Sequence, residues 1–315
     1  MSLPTGTTAT YESIGNREDL EDIIYDVSPT DTPFVTMCAR VKATAVYHEW
    51  QTDALATAVT TNANIEGDDA VTDAFTATVR LGNYCQIMDK VPRVTMTQEA
   101  IDKAGRGNEM DYQIIKRGKE LKRDMESTLL ANQARVAGSD ILARKFGSVL
   151  SYIATNDDIG TGAAASPTGN GTDTRTDGTQ RAFTEALLKS ALQLIWTSGG
   201  EPETILVGGF NKQAFSSFVG RGTPTEDTKA KKIVAAVDVY ESDFGSLRVV
   251  PDRFMRSRDC LILQEDMWKL AFLRNMKTTE LARTGDSIQK QIICEFTLVS
   301  GNEKASGGVF DLTTS

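Results

Sequence analysis

Histidine is nearly missing from this chain: there is one, His48, in 315 residues. Chemistry that needs two imidazoles is therefore out of reach. His48-Glu49-Trp50-Gln51-Thr52 begins like a zinc-protease helix, but Thr52 stands where the second histidine ligand is required. A serine or cysteine nucleophile would have to recruit the same His48, and no nucleophile motif lies beside it. His48 reads as a structural residue. Cysteine is sparse too: Cys38, Cys85, Cys260 and Cys294 are scattered with no Cys-x-x-Cys pair, which fits neither a disulfide framework nor a zinc site. They read as reduced, small, buried hydrophobes. With only 8 prolines, a Pro-rich linker protein is excluded. Positive charge is the minority sign, 34 Lys and Arg against 43 Asp and Glu, which argues against nucleic-acid binding by bulk charge. Long apolar runs are absent as well. The longest uncharged stretch, Ile159 to Thr172, is mostly Gly, Ala, Ser and Thr, whereas a membrane-spanning helix needs about 20 mainly apolar residues. Met1-Ser2-Leu3-Pro4-Thr5-Gly6 lacks the basic and apolar regions of a secretory signal, so a cytoplasm is the expected site of synthesis.

What is present is ordinary in bulk: 40% hydrophobic and 24% charged residues exclude global disorder, and the length suggests two domains. Within residues 17–27, Leu20, Ile23, Ile24 and Val27 follow the i, i+3, i+4, i+7 spacing of a short amphipathic helix. Ser28-Pro29 and Thr32-Pro33 stop it, so the first forty residues read as an arm with one docking helix. Val41 to Trp50 and Val79 to Val94 read as strands. Between them, Thr52 to Thr78 has too few large apolar side chains for a compact unit, which predicts a long projecting hairpin.

Asn108 to Ala137 gives the strongest helical signal. Ile114, Leu121, Met125 and Leu129 keep one face apolar, Asn108 is a plausible N-cap, and Gly138 follows as a stop. Such a rod would be roughly 45 Å long. Thr155 to Gln180 reads as a polar loop. Beyond it the pattern predicts a helix over Phe183 to Thr197 ended by Gly199-Gly200, a buried strand at Ile205 to Val207 and a helix over Asn211 to Val219. A hairpin joins Val237–Tyr240 to Leu247–Val250 through Ser242-Asp243-Phe244-Gly245. Strand-like stretches at Cys260 to Leu263, Trp268 to Arg274, Ser287 to Val299 and Gly307 to Leu312 finish an α+β chain in two blocks, without internal repeats.

Three local patterns look chemical. Gly160-Thr161-Gly162-Ala163-Ala164-Ala165 matches a relaxed dinucleotide motif, but Ser166-Pro167 follows at once and leaves no helix to receive a pyrophosphate. Asp173 to Glu185 resembles a calcium loop, but Arg175 occupies a ligand position and Thr184 the place of the bidentate Glu. Lys116, Arg117, Lys119, Lys122 and Arg123 crowd one stretch of the long helix. They read first as a solvated face balanced by Glu120, Asp124 and Glu126, with a partner contact as the functional alternative. No catalytic constellation, cofactor site or metal site is visible.

Several strings, in their order, resemble the major capsid proteins of tailed bacteriophages with the Hong Kong 97-type fold, in the SU-ten-type subfamily. They are Asn16-Arg17-Glu18-Asp19-Leu20, Ser28-Pro29-Thr30-Asp31-Thr32-Pro33-Phe34, His48-Glu49-Trp50-Gln51-Thr52-Asp53 and Phe244-Gly245-Ser246-Leu247-Arg248-Val249-Val250-Pro251-Asp252-Arg253. Trp268-Lys269-Leu270-Ala271-Phe272-Leu273-Arg274 and Asn302-Glu303-Lys304-Ala305 through Gly307-Gly308 complete the set. The resemblance implies an N-terminal arm (1–46), an extended β-hairpin loop (47–91), a peripheral domain with a long spine helix (92–150), an axial domain (151–260) and a return to the peripheral domain (261–315).

It also implies a structural protein that is not an enzyme and needs no cofactor. Pentamers and hexamers would close an icosahedral or prolate head around double-stranded DNA, without sequence-specific binding and without a membrane. The virion capsid is the expected location, after assembly in the host cytoplasm. A portal and scaffolding or decoration proteins are the expected partners, because no scaffold-like segment is visible in the chain. The extended loop would lie over the peripheral domain of an adjacent subunit. Expected intersubunit contacts are Leu20, Ile23, Ile24, Phe34, Trp50, Arg80, Lys116, Arg117, Lys122 and Arg123. Some relatives weld their shells through a loop lysine, but this chain has no lysine between Lys42 and Lys90, so a non-covalent shell is expected. A nanocompartment shell of the same fold is the neighbouring alternative, and an α/β enzyme the distant one.

Overall fold

The computed structural model describes residues 29–69, 72–103, 105, 107–218 and 238–314; the helix expected at 17–27 lies outside them. The chain opens with α1 (Pro33–Met37), β1 (Ala39–Lys42), β2 (Tyr47–Thr52), β3 (Val79–Tyr84), β4 (Gln86–Lys90), β5 (Arg93–Thr95), α2 (Met96–Ala100) and α3 (Glu109–Leu129). It continues through β6 (Asp157–Asp158), α4 (Glu185–Thr197), β7 (Thr204–Val207), α5 (Gly209–Ser216), β8 (Val239–Ser242) and β9 (Gly245–Pro251). The last strands are β10 (Cys260–Leu263), β11 (Trp268–Glu280), β12 (Ser287–Ser300) and β13 (Gly307–Val309).

Two sheets organise these elements. The first runs β1-β11-β12-β4, with β5 pairing onto the opening residues of β12. Helix α3 lies against β12 and β4, and Leu121, Met125 and Leu129 sink into a core with Trp268, Leu270, Phe296 and Leu298. The second sheet runs β6-β13-β10-β7-β9-β8, and α4 packs on it through Leu188, Leu192 and Ile195.

Strands β7 and β10 explain how the two blocks are joined. Successive side chains of a strand point to opposite faces. Leu206, Leu261 and Leu263 therefore belong to the first core, while Ile205, Val207, Cys260 and Ile262 belong to the second. A sheet with apolar residues on both faces reads as a continuous hydrophobic run, which is what Thr204–Val207 and Cys260–Leu263 are.

Several expectations are corrected. The long helix ends at Leu129, not at Ala137, so it is about 31 Å long. Residues 131–137 leave the helix because their polar groups are claimed elsewhere. Asn132 exchanges two hydrogen bonds with the Arg175 backbone, Gln133 donates to Phe146 O, and Arg135 donates to Tyr47 Oη and Gly82 O. The single strand expected over 41–50 is two, β1 and β2, which join different sheets. The run 79–94 breaks into β3, β4 and β5 around Cys85 and Pro92. Pro33 begins α1 at its N-terminal position, where a missing N–H is harmless; whether a helix over 17–27 stops before it lies outside the described residues. The second helix of the β/α passage spans Gly209–Ser216, and the final strand stops at Val309. Of the last strands, β11 and β12 lie in the first sheet, while β10 and β13 lie in the second.

The polar segment 155–180 has almost no regular structure, but it is not loosely attached. Arg175 is buried with its guanidinium 3.5 Å above the Phe310 ring and 2.7 Å from Asp157. Asp311, in the left-handed region at φ 59°, accepts the backbone N–H groups of Gly160 and Gly178 and the Arg258 guanidinium. Those charge-assisted bonds offset the backbone strain.

Candidate functional site

The projecting loop is held at its base and unheld beyond it. Strands β2 and β3 pair antiparallel from Tyr47 opposite Tyr84 to Thr52 opposite Val79. Trp50 packs on the first core with its ring 6.0 Å from Tyr152, and the buried Asn83 donates to Gly147 O and Leu298 O. Gly82 lets the Tyr47 ring close onto the strand, since a Cβ there would sit 2.6 Å from that ring. His48 is half-buried, stacks near Trp50, and has its pKa lowered by that burial. It stands on β2 opposite Asn83, as a structural residue.

Beyond Thr52 the described residues of the loop form no strand and no helix. Leu55, Val59, Ile65 and Phe75 are 68–100% exposed. The stretch 53–78 carries Asp53, Glu66, Asp68, Asp69 and Asp73 and not one basic residue. It is an acidic strip studded with apolar side chains that find no cover in their own chain.

A surface of the opposite character lies where β1, α3 and β11 meet. Arg40, Lys42 and Lys122 line a groove of about 590 Å³ together with Val35, Val41, Met125, Phe272 and Met276. Arg40 stands 5.8 Å over the Phe272 ring. Among the described residues neither Lys42 nor Lys122 has an acidic partner within ion-pair distance.

The expected contact residues fall into distinct settings. Leu20, Ile23 and Ile24 lie outside the described residues. Phe34 has no surface to offer: it is completely buried in its own chain's core, edge-on to Trp268. Arg80 pairs with Glu49 across the β2/β3 hairpin at 3.1 Å. On α3, Lys116 and Lys122 are exposed, Arg117 pairs with Glu120 at 2.6 Å, and Arg123 lies over Phe254. Only part of the expected charge balance exists. Asp124 is taken by Lys90 of β4 at 2.7 Å, and Glu126 faces the interior.

Glu126 was legible only as a surface acid and is instead a fully buried hub. Its two carboxylate oxygens accept the N–H groups of Phe34 at 2.6 Å and Val35 at 2.8 Å, at the start of α1. Burial, followed by the neighbouring Asp252 carboxyl, pushes its pKa up to about 8. The four cysteines are buried free thiols; burial raises all four, Cys85 and Cys294 to about 11. No three His, Cys, Asp or Glu side chains among the described residues converge as a metal would require.

Solved structures share this architecture over nearly the whole chain. The capsid of a native GTA particle covers 96% of this chain and 98% of its own, with a TM-score of 0.67 at 8% identity. A chain of Gordonia phage Cozz covers 99% and 98%, with a TM-score of 0.63 at 9% identity. The fold is thus the α+β, Hong Kong 97-like fold of phage capsids. The sequence narrows this further. The model of the SU10 major capsid protein family matches residues 3–313, and the chain belongs to that family. The major capsid protein of Escherichia phage Phieco32 is 28% identical over 98% of both chains. This is a structural component of a virion capsid, not an enzyme.

Proposed function

We propose that the chain builds pentamers and hexamers that close an icosahedral or prolate head around double-stranded DNA. Each subunit lays its acidic, apolar loop into the basic groove of a neighbour. The observation that carries this reading is the complementarity of two unsatisfied surfaces. Residues 53–78 offer five acids and exposed Leu55, Ile65 and Phe75, while Arg40, Lys42 and Lys122 rim an apolar trough. Their separation on one chain suits a heterologous contact, which closes into rings. Apolar side chains give such an interface its affinity, and the charges set register and approach rate.

Trp50 and Arg80 then steer the loop from its base, while Lys116, Arg117, Lys122 and Arg123 receive a neighbour on α3. Leu20, Ile23 and Ile24 contribute through the arm. The peripheral unit corresponds to the first sheet with α3, and the axial unit to the second sheet including β10 and β13. A portal and scaffolding or decoration proteins complete the head, which assembles in the host cytoplasm. The net charge of −9 suits a container that must not adhere to packaged DNA.

Sedimentation and electron microscopy of the purified full chain test this. Rings or shells are expected from the native sequence. The double variant Lys42→Glu/Lys122→Glu should stay folded and sediment as free subunits. Unaltered assembly of that variant would remove the groove from the interface, and a compact monomer under all salt and crowding conditions would overturn the shell reading.

A further inference from the structure

Outside the projecting loop, Ile141 is the most exposed large apolar side chain among the described residues, at 98%. It stands at the tip of a turn that is firmly built. Val136 and Lys145 exchange both backbone hydrogen bonds, at 2.9 and 3.1 Å, Ser139 and Leu142 exchange two more, and Ser139 Oγ accepts the Ile141 N–H. Gly138 takes φ 80°, and a Cβ there would clash with the Arg144 side chain. Arg144 in turn donates at 2.7 Å to Glu295, a buried acid of β12 that Arg274 also holds. Glu295 and Ile87 stand opposite each other in the β12–β4 ladder and alternate with Met88, Cys294 and Phe296, which belong to the α3 core. The turn is therefore tied to the face of the first sheet that points away from α3. A groove of about 310 Å³ opens beside it, lined by Ile87, Ala137, Leu142, Ala143 and Arg144. That is about ten times the volume share of one water, which admits an aliphatic side chain. Ile87 and Leu142 are themselves about half exposed.

We propose that this turn and its groove form a two-fold interface between two copies of the chain, with Ile141 of each copy filling the Ile87/Leu142 groove of the other. A knob and a groove side by side on one surface, unable to satisfy each other within a subunit, are satisfied together by a two-fold axis. Charge agrees with this occupant. Asp140 and Lys145 flank the knob, both are exposed, and neither has an ion-pair partner among the described residues. The two-fold sets Asp140 of each copy against Lys145 of the other, which fixes register. Because the turn is ordered before contact, docking costs little conformational freedom. The loop-and-groove contact proposed above is heterologous and closes rings. The two-fold contact is of the other kind and ties a subunit of one ring to a subunit of the next; it rests on the shell reading only for the rings it joins.

Cysteine cross-linking of the full chain tests this. The four native thiols are buried, so introduced ones report alone. Ile141→Cys and Ile87→Cys chains are mixed at high concentration and oxidised with copper–phenanthroline. A disulfide needs Cβ atoms within about 4.5 Å, so a dimer band on a non-reducing gel reports direct contact. That band is expected, and its absence overturns the interface. The double variant Ile141→Cys/Ile87→Cys should also stop at dimers, because a two-fold contact closes on itself; a ladder of higher multiples would make the contact heterologous and overturn the two-fold. Ile141→Asp supplies the second reading. Its side chain touches solvent alone, so thermal unfolding of the free subunit should be unchanged, while sedimentation shows rings without closed shells. Closed shells in native yield from Ile141→Asp overturn the proposal. If the native chain itself closes no shell, the shell reading falls, and the dimer band still decides the interface.

Discussion

Apolar side chains meet opposite fates in two parts of this molecule. Along α3, Leu121, Met125 and Leu129 are at most 3% exposed, and even a carboxylate on the same helix is drawn inside and bonded. Along residues 53–78, Leu55 is fully exposed and Phe75 is 93% exposed. Both stretches cost the chain conformational freedom or solvation, but only the first recovers it within one subunit. The helix and its sheet form a finished fold. On the function proposed above, the loop is half of an interface whose other half lies on another copy. A capsid protein needs both: a body that survives alone and surfaces that do not rest until a shell closes.

The sharpest way to break this contrast is to truncate one side chain on each side of it. Leu121→Ala should lower the stability of the unassembled subunit by about 2–5 kcal/mol, the range for a buried leucine whose cavity cannot fully collapse. Leu55→Ala should change it by less than about 0.5 kcal/mol. Denaturant unfolding of the two variants checks both figures. Equal losses would mean that the loop belongs to the subunit core after all.

Next in size is the pH dependence of the finished part. Glu126 keeps its proton in the folded state up to about pH 8, whereas an unfolded glutamate loses it near its ordinary 4.5. The folded state therefore binds more protons across that window, and stability must fall as pH rises through it. The acid contributes fully below about pH 4.5 and no further change is expected above about pH 8. Asp252→Asn should remove only part of this slope, because burial, the larger cause of the raised pKa, remains. Chemical denaturation at pH 5, 6.5 and 8 decides the matter, and a native curve that rises with pH would reverse the assignment.

A smaller effect on stability, with a large one on assembly, is expected from removing the loop. Among the described residues of 55–75 no side chain belongs to a core cluster, and Trp50 and Asn83 anchor the hairpin below the cut. The subunit should stay folded, within about 1 kcal/mol, while sedimentation shows no rings or shells. Loss of soluble folded protein would show that the loop supports the body that carries it.

The sequence made this contrast readable because the two halves differ in pattern. Ile114, Leu121, Met125 and Leu129 repeat at helical spacing, and 52–78 has no period at all. The cap at Asn108 was readable too, and its side chain does accept the Asp111 N–H. The failures share a cause, which is polar groups recruited from afar. The sequence Ala131-Asn132-Gln133-Ala134 is compatible with a helix, yet Asn132 and Gln133 serve strands and loops more than ten residues away. Glu126 sits in a run of charges that looks solvated, and nothing local announces that two N–H groups some ninety residues earlier will claim it. Arg175 lies in the most polar tract of the chain and is buried against Phe310. The basic groove was half visible: Lys122 stood out in its cluster, but Arg40 and Lys42 join it only through the parallel pairing of β1 with β11.

The smallest effect expected is none at all, and it bears on how the loop is held once it has found its neighbour. A covalent weld through a lysine needs an amine that reaches the partner and can lose its proton. Between Lys42 and Lys90 the chain has no lysine, and Arg80, the one strong base there, is tied to Glu49 and carries a guanidinium in place of a nucleophilic amine. The flanking lysines are no substitutes. Lys90 is held by Asp124 at 2.7 Å at the foot of the hairpin, and Lys42 lines the groove on β1 rather than the loop itself. The loop must therefore be kept in place by burial and charge alone. Mature particles boiled in detergent and reducing agent should yield one band near 34.3 kDa. A ladder of covalent pentamers and hexamers on that gel would show that the loop's unfinished surface is completed by a bond rather than by packing.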